Sequence, residues 1–299
     1  MVTGASGFLG SLVCDTLLAR GDEVVGLSRD PAKARRTNPR VTWHTWEPMM
    51  ERPPAEAFEG VDAVVHLVGE PTNQRWTDDA KRRIMESRSK ATHNLAQAIQ
   101  ALEHPPGVVV SQSATGYYGD RGEAIVDESS EPGDDFLAEV VLRWEGAARE
   151  IEGSGVRLVL LRSGPVLDPR SGFLKQLLTP FKLGFGGPIA GGDQYVPWIH
   201  VDDWVELVLW AIGNPEVEGP INATAPSPAT NRELSKALGR ALNRPAIVPV
   251  PGFVPAVMFG REFVDVIVTA GQRAVPRRAQ DRGFEFRHPE LGEALRSLF

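Results

Sequence analysis

The stretch that decides the fold is Val2-Thr3-Gly4-Ala5-Ser6-Gly7-Phe8-Leu9-Gly10, followed by an amphipathic run to Arg20. A strand that turns into a helix at G-x-x-G-x-x-G lets one glycine make the tight turn. A second brings backbone N–H groups close to a pyrophosphate, and a third packs the helix against the strand. The glycines alone are a weak sign. Their place in the first strand–helix turn, with another strand ending near Ser28, turns them into a dinucleotide-binding expectation. Only three residues precede Gly4, so the first strand is expected to be unusually short unless the chain starts late.

Working outward, Glu23–Ser28, Val61–Val68, Gly107–Ser111 and Val156–Leu161 read as buried strands. Phe8–Arg20, Thr77–Leu102 and Asp135–Glu152 read as helices between them. Apolar strands alternating with helices predict an α/β fold: a Rossmann-type, doubly wound parallel sheet covered on both faces. Thr77 is placed to cap its helix, with Asp78 and Asp79 at the positive end of the dipole. After Pro165 glycine and proline become dense, through Gly184-Phe-Gly-Gly-Pro188, Gly191-Gly192 and Pro245 to Pro255. This predicts a Rossmann core over 1–165, with segments near 195–225 returning to it. Residues 166–299 then form a small, mainly helical C-terminal substrate subdomain.

The 299 residues hold 32 Lys plus Arg against 39 Asp plus Glu, a net charge of −7, which argues against binding nucleic acid through a positive field. One cysteine, Cys14, excludes an internal disulfide and a cysteine-rich metal centre; no metal is expected. The opening residues lack the pattern of a secretory signal, and no apolar run is long enough for a membrane span. The expected setting is cytoplasmic, with a small-molecule substrate, no membrane or nucleic-acid partner, and a monomer or homodimer as the assembly.

The end of the second strand distinguishes the two nicotinamide cofactors. An acidic residue there favours NAD by binding the adenosine ribose, whereas arginine accommodates a 2′-phosphate. Leu27-Ser28-Arg29-Asp30, with Lys33, Arg35 and Arg36 behind, points to NADP through Ser28 and Arg29. Asp30 leaves NAD as the lesser alternative, and a solvated basic loop is the bland one.

Further along stand Val68-Gly-Glu-Pro71, Arg75-Trp76, Glu86-Ser-Arg88, Ser111-Gln-Ser-Ala-Thr-Gly-Tyr-Tyr-Gly119, Trp198-Ile-His-Val-Asp-Asp203, Asn222-Ala-Thr-Ala-Pro226 and Gly271-Gln-Arg273. With the glycine loop, and in this order, they resemble the YfcH-like branch of the extended short-chain dehydrogenase/reductases. Its members are usually named epimerase family proteins or sugar-nucleotide epimerases and end in a small domain of unknown function. The resemblance spans essentially the whole chain. It implies a Rossmann core, an NADP-type cofactor and a substrate subdomain; the epimerase name rests on superfamily analogy and fixes no substrate.

The resemblance implies cofactor contacts from Gly4, Ser6, Gly7, Phe8, Leu9, Gly10, Ser28, Arg29, Val68 and Gly69, with Arg162 and Pro165 beside the nicotinamide. It puts Ser113 where extended reductases hydrogen-bond the reacting oxygen; the plainer role for Ser113 is capping of the strand end. The usual Tyr-x-x-x-Lys pair, whose lysine lowers the phenol's pKa from about 10, is missing. Aligning the next helix on Glu145 gives Leu137 and Val141 at those places; a one-residue shift gives Phe136 and Val140. Tyr117 and Tyr118 are the replacement candidates, with no basis for choosing between them. His200 is favoured as a helix cap over an acid or base, and Glu70 as either an acid/base or a ligand of loop backbone. Arg75, Trp76, Gln194 and Trp198 are expected on the substrate side, suited to an anionic or planar ligand, with Trp198 equally placed for the core. Two functions follow: an NADP-dependent oxidoreductase or epimerase acting on a small polar, sugar-nucleotide-like substrate, or a non-catalytic NADP(H) sensor.

Overall fold

The computed structural model describes all residues, Met1 to Phe299. Seven strands form the central sheet: β1 Val2–Thr3, β2 Val25–Ser28, β3 Thr42–Thr45, β4 Ala63–His66, β5 Val108–Ala114, β6 Arg157–Ser163 and β7 Gly219–Ala223. Their spatial order is β7-β6-β5-β4-β1-β2-β3, and every pairing is parallel. The order reverses between β1 and β4, and a crevice at the carboxyl ends of such strands is where a doubly wound sheet takes its ligand.

The helices around the sheet are α1 Phe8–Ala19, α2 Pro31–Thr37, α3 Asp78–Gln100, α4 Phe136–Arg149 and α6 Val201–Gly213, with α5 Gly172–Lys182 lying off it. Strand periodicity divides the core between the two faces. Val65, Val108, Val110, Val159 and Leu161 pack with Val13 and Cys14 of α1 and Val205 to Leu209 of α6. Val64, Val109, Leu158 and Leu160 turn the other way, onto Ala91 and Leu95 of α3 and Ala148 of α4. Caps set the helix starts: the Thr77 side chain accepts from Ala80 N, and Asp135 accepts from Ala138 N at 2.9 Å.

The expected strands and helices occur: the helices are trimmed at their ends, β5 and β6 run past theirs to Ala114 and Ser163, and β1 is only two residues long. Two strands escaped the reading. β3 is Thr-Trp-His-Thr, too short to show a period, and β7 opens on Gly219, at φ +69°, followed by Pro220. Beyond the sheet, α5, α7 (Asn231–Ala241) and the terminal helix Leu291–Ser297 enclose a separate core of Leu174, Leu178, Phe181, Trp198, Leu234, Leu238 and Leu295. The last third is also stitched to the sheet side: Arg273 and Ala274 pair in parallel with Ile125 and Val126. No helix is long and apolar enough to cross a membrane.

Candidate cofactor and active site

At the glycine loop the three glycines do separate work. Gly4 sits at φ +69°, where an L side chain would be strained, and a Cβ there would lie 3.0 Å from the Leu67 carbonyl oxygen. A Cβ on Gly10 would stand 2.2 Å from the Gly4 carbonyl oxygen, so only glycine lets α1 pack this closely. Gly7 is the N-cap and donates its N–H to Gly4 O at 2.8 Å. No side chain caps α1 and its first turn holds no acidic residue. Ser6 and Gly7 are exposed, with Phe8 and Leu9 half-buried behind them. An uncapped helix start behind a glycine cradle is the physical complement of a pyrophosphate.

The β2 end supports a phosphate over a ribose diol. Arg29 is exposed and makes no ion pair, whereas Asp30 is engaged, accepting from Lys33 N at 2.9 Å as the cap of α2. Ser28 Oγ accepts from Asp30 N at 3.1 Å, which leaves its own hydroxyl proton to donate. Across the switch point, Val68 and Gly69 follow β4. His66 is fully buried between Thr3 Oγ1 (2.7 Å) and Thr92 Oγ1 (2.9 Å), tying β1, β4 and α3 together. Burial lowers its pKa to about 3, so this imidazole is neutral.

At the ends of β5, β6 and β7 the structure corrects the sequence reading. Ser113 has no exposed surface, and its Oγ donates to Glu145 Oε1 at 2.6 Å. Glu145 is gripped by Arg162 through two contacts, Nε–Oε1 at 2.8 Å and Nη2–Oε2 at 2.9 Å, with both side chains at most 5% exposed. Burial opposes the charge on Arg162, but the Glu145 hydrogen bonds prevail and hold its pKa above the ordinary guanidinium value. Arg162 therefore faces Glu145 from inside the protein and offers no open guanidinium to a nicotinamide; of that pair only Pro165 retains some surface.

Tyr118 is likewise corrected. It is fully buried, donates to Asn222 Oδ1 at 2.7 Å, and accepts from Arg162 Nη1 at 3.3 Å. Burial pushes its pKa up to about 12 against the opposing influence of Arg162. Tyr117 differs: it is half-buried, its ring lies 3.4 Å from the Arg162 guanidinium carbon, and its hydroxyl makes no hydrogen bond. On α4 Leu137 is half-buried against the Gly116 turn and Val141 is buried; in the alternative register Phe136 is half-buried and Val140 buried, so all four side chains are apolar. Sequence reasoning misses the Glu145–Arg162 pair because it places Arg162 beside the nicotinamide and gives Glu145 no partner; the two stand on separate elements, and no local spacing joins them.

The substrate-side residues separate into three environments. Arg75 is exposed and donates to Val257 O at 3.2 Å; Trp76 lies edge-on to Phe136 and Phe263, bringing the 70–77 loop against the helices of residues 253–263. Gln194 Nε2 bridges Ile189 O and Val268 O at 3.1 and 2.8 Å. Trp198 is the correction: of its two expected places it takes the C-terminal core, with no exposed surface and its Nε1 donating to Ser227 O. Glu70 is bound into its loop, its N–H donating to Ser87 Oγ and its carbonyl accepting from Arg88. His200 caps α6, accepting from Asp202 N at 3.1 Å, and stacks on His288 with ring centres 3.8 Å apart. Those two and Asp202 bring potential ligand atoms within 4.8 Å of one another, a grouping invisible in sequence spacing. The His200 nitrogen nearest Asp202 is already engaged by the helix amide.

A doubly wound sheet with a glycine cradle at its switch point and a basic β2 end defines a Rossmann dinucleotide-binding protein of the extended reductase type. The chain belongs to the NAD dependent epimerase/dehydratase family, whose model matches residues 1–223, and a domain of unknown function matches residues 250–298. The human epimerase family protein SDR39U1 is 37% identical over 302 residues, covering 100% of this chain and 98% of that protein. The Bacillus subtilis epimerase family protein YfhF is 33% identical and covers 99% of this chain and 96% of its own length. A crystal structure of human SDR39U1 with NADPH superposes with a TM-score of 0.89 at 37% identity, covering 99% of this chain and 97% of that one.

Proposed function

We propose that this chain binds NADP(H) along Gly4–Gly10 and Arg29 and acts as an oxidoreductase or epimerase on a small polar, sugar-nucleotide-like substrate, in a cytoplasmic setting. The observation that carries the cofactor half is the β2 end: Arg29 is free while the neighbouring Asp30 carboxylate is taken by a helix cap. That the human SDR39U1 crystal structure contains NADPH supports the same choice.

Bound there, the nicotinamide would supply a hydride donor or acceptor, so a protein group must handle the proton on the reacting oxygen. We assign that contact to Tyr117, the one hydroxyl of the three candidates without an internal partner. Arg162 beneath its ring supplies a fixed cation, which Ser113 positions through Glu145 and Tyr118, itself held by Asn222, positions by accepting from it directly. Arg75 and Trp76 would meet the substrate from the other side.

Screening polar carbonyls and sugar nucleotides for NADPH turnover tests this reading. Tyr117→Phe is expected to lose ~10²–10⁴-fold in turnover while keeping cofactor affinity. Full activity of Tyr117→Phe on an authentic substrate would remove Tyr117 from the role. A second reading, a non-catalytic NADP(H) sensor, is supported by the apolar residues expected where the tyrosine–lysine pair belongs, Leu137 and Val141 in one register and Phe136 and Val140 in the other. Tight NADPH binding without turnover of any substrate would put that reading first.

A further inference from the structure

One charged group from outside the glycine loop, Arg170, stands beside the start of α1. Arg170 follows the short strand Val166–Leu167, which is fixed by parallel pairing to Ile199–His200. Asp168, buried beneath it, accepts from the Arg170 N–H at 2.7 Å, from its Nε at 2.9 Å and from its Nη2 at 2.6 Å. This grip sets the guanidinium in one orientation, 5.2 Å from the centre of the Phe8 ring. Phe8 is the first residue of α1, directly after the glycine cradle.

The Arg170 side chain is 62% exposed, and its Nη1 makes no hydrogen bond. Asp168 and the more distant Asp202 offset its charge in part. What remains is an outward donor beside an uncapped helix start, on a loop belonging to the second half of the fold. An oriented arginine of this kind suits a phosphate oxygen better than a free surface cation, because little freedom is lost when the contact forms.

We propose that Arg170 closes over the pyrophosphate of the bound dinucleotide, opposite the α1 amides, with Asp168 as the residue that positions it. This rests on the cofactor reading above. It differs from the Arg29 contact in what it recognises: the pyrophosphate is common to NADPH and NADH, whereas the 2′-phosphate is not.

The test is calorimetric titration of wild type, Arg170→Ala and Arg170→Lys with NADPH, NADH and adenosine 2′-monophosphate, alongside Arg29→Ala. Arg170→Ala should weaken both dinucleotides by the same factor, on the order of tenfold, and leave the monophosphate unchanged. Arg170→Lys keeps a cation over buried Asp168, so it guards against misfolding, and should lose about threefold for both dinucleotides. Arg29→Ala should show the opposite pattern, losing NADPH and the monophosphate but not NADH. Unchanged dinucleotide affinity in Arg170→Ala, or an equal loss of the monophosphate, would overturn the clamp. A wild-type protein that binds no dinucleotide would instead sink the cofactor reading itself.

Discussion

The two ends of the ligand crevice are built on opposite principles. At β1 and β2 the working groups are backbone amides and a solvent-facing arginine, with nearby polar side chains occupied in caps that leave those groups free. At β5 to β7 the residues of catalytic type are turned inward, so that Ser113, Glu145, Arg162, Tyr118 and Asn222 form one closed network without open surface. The first end is an exposed cradle; the second is a buried scaffold with Tyr117 on its rim. Chemistry-bearing residue types at the right strand ends therefore do not by themselves make a reactive site. What matters is whether their hydrogen-bonding capacity is already filled.

The sharpest way to break the contrast is Glu145→Ala. It leaves the Arg162 charge buried without a partner, and loss of one member of such a pair destabilises by ~3–5 kcal/mol. Denaturant unfolding should register that loss, whereas a protein of wild-type stability would mean that the strand ends are wetter than described. At the other end Arg29→Ala should leave folding unchanged and weaken NADPH by about 1.5–3 kcal/mol, with NADH far less affected. Equal losses for the two cofactors would take Arg29 out of phosphate recognition.

The smallest effect concerns His66, which holds β1 to β4 below the cradle. Its folded pKa of about 3 lies below the ordinary 6.5, so between those values the unfolded chain binds the extra proton. Its stabilising contribution is complete above pH 6.5 and shrinks as the pH falls towards 3; from pH 7.5 to 5.5 the loss is about 1 kcal/mol. His66→Gln should flatten the acid side of the stability profile. An unchanged slope would show that other groups carry it.

The cradle was legible because its function resides in glycine spacing, which a one-dimensional pattern records. Gly4 and Gly10 are required by contacts of 3.0 and 2.2 Å to nearby carbonyl oxygens, and no other residue fits there. Helix starts at Thr77 and Asp135 were legible for the same local reason. The closed network was not, because it depends on Ser113, Glu145 and Arg162 meeting from three separate elements. Trp198 shows the same limit: an aromatic in a loop-rich stretch reads equally as ligand contact or core, and only packing decides. Strand β3 stayed hidden because four residues show no period, and β7 because it opens on glycine and proline, which strands disfavour; neighbouring strands hold both in place.

The stitch between the last third of the chain and the sheet bears on the order in which the protein assembles. The Glu128 carboxylate accepts from Asn222 N, at the end of β7, and from Arg278 N, 150 residues further along from itself. The parallel pairing of Arg273–Ala274 with Ile125–Val126 closes a loop of similar span. Closing so long a loop carries an entropic cost before its contacts give anything back, which slows the step that forms it. On a ribosome the stitch to the strand-end scaffold must wait until residues near 280 have emerged. Until then Asn222 and Glu128 have each other but lack Val275 and Arg278, the partners that tie them to the last third of the chain.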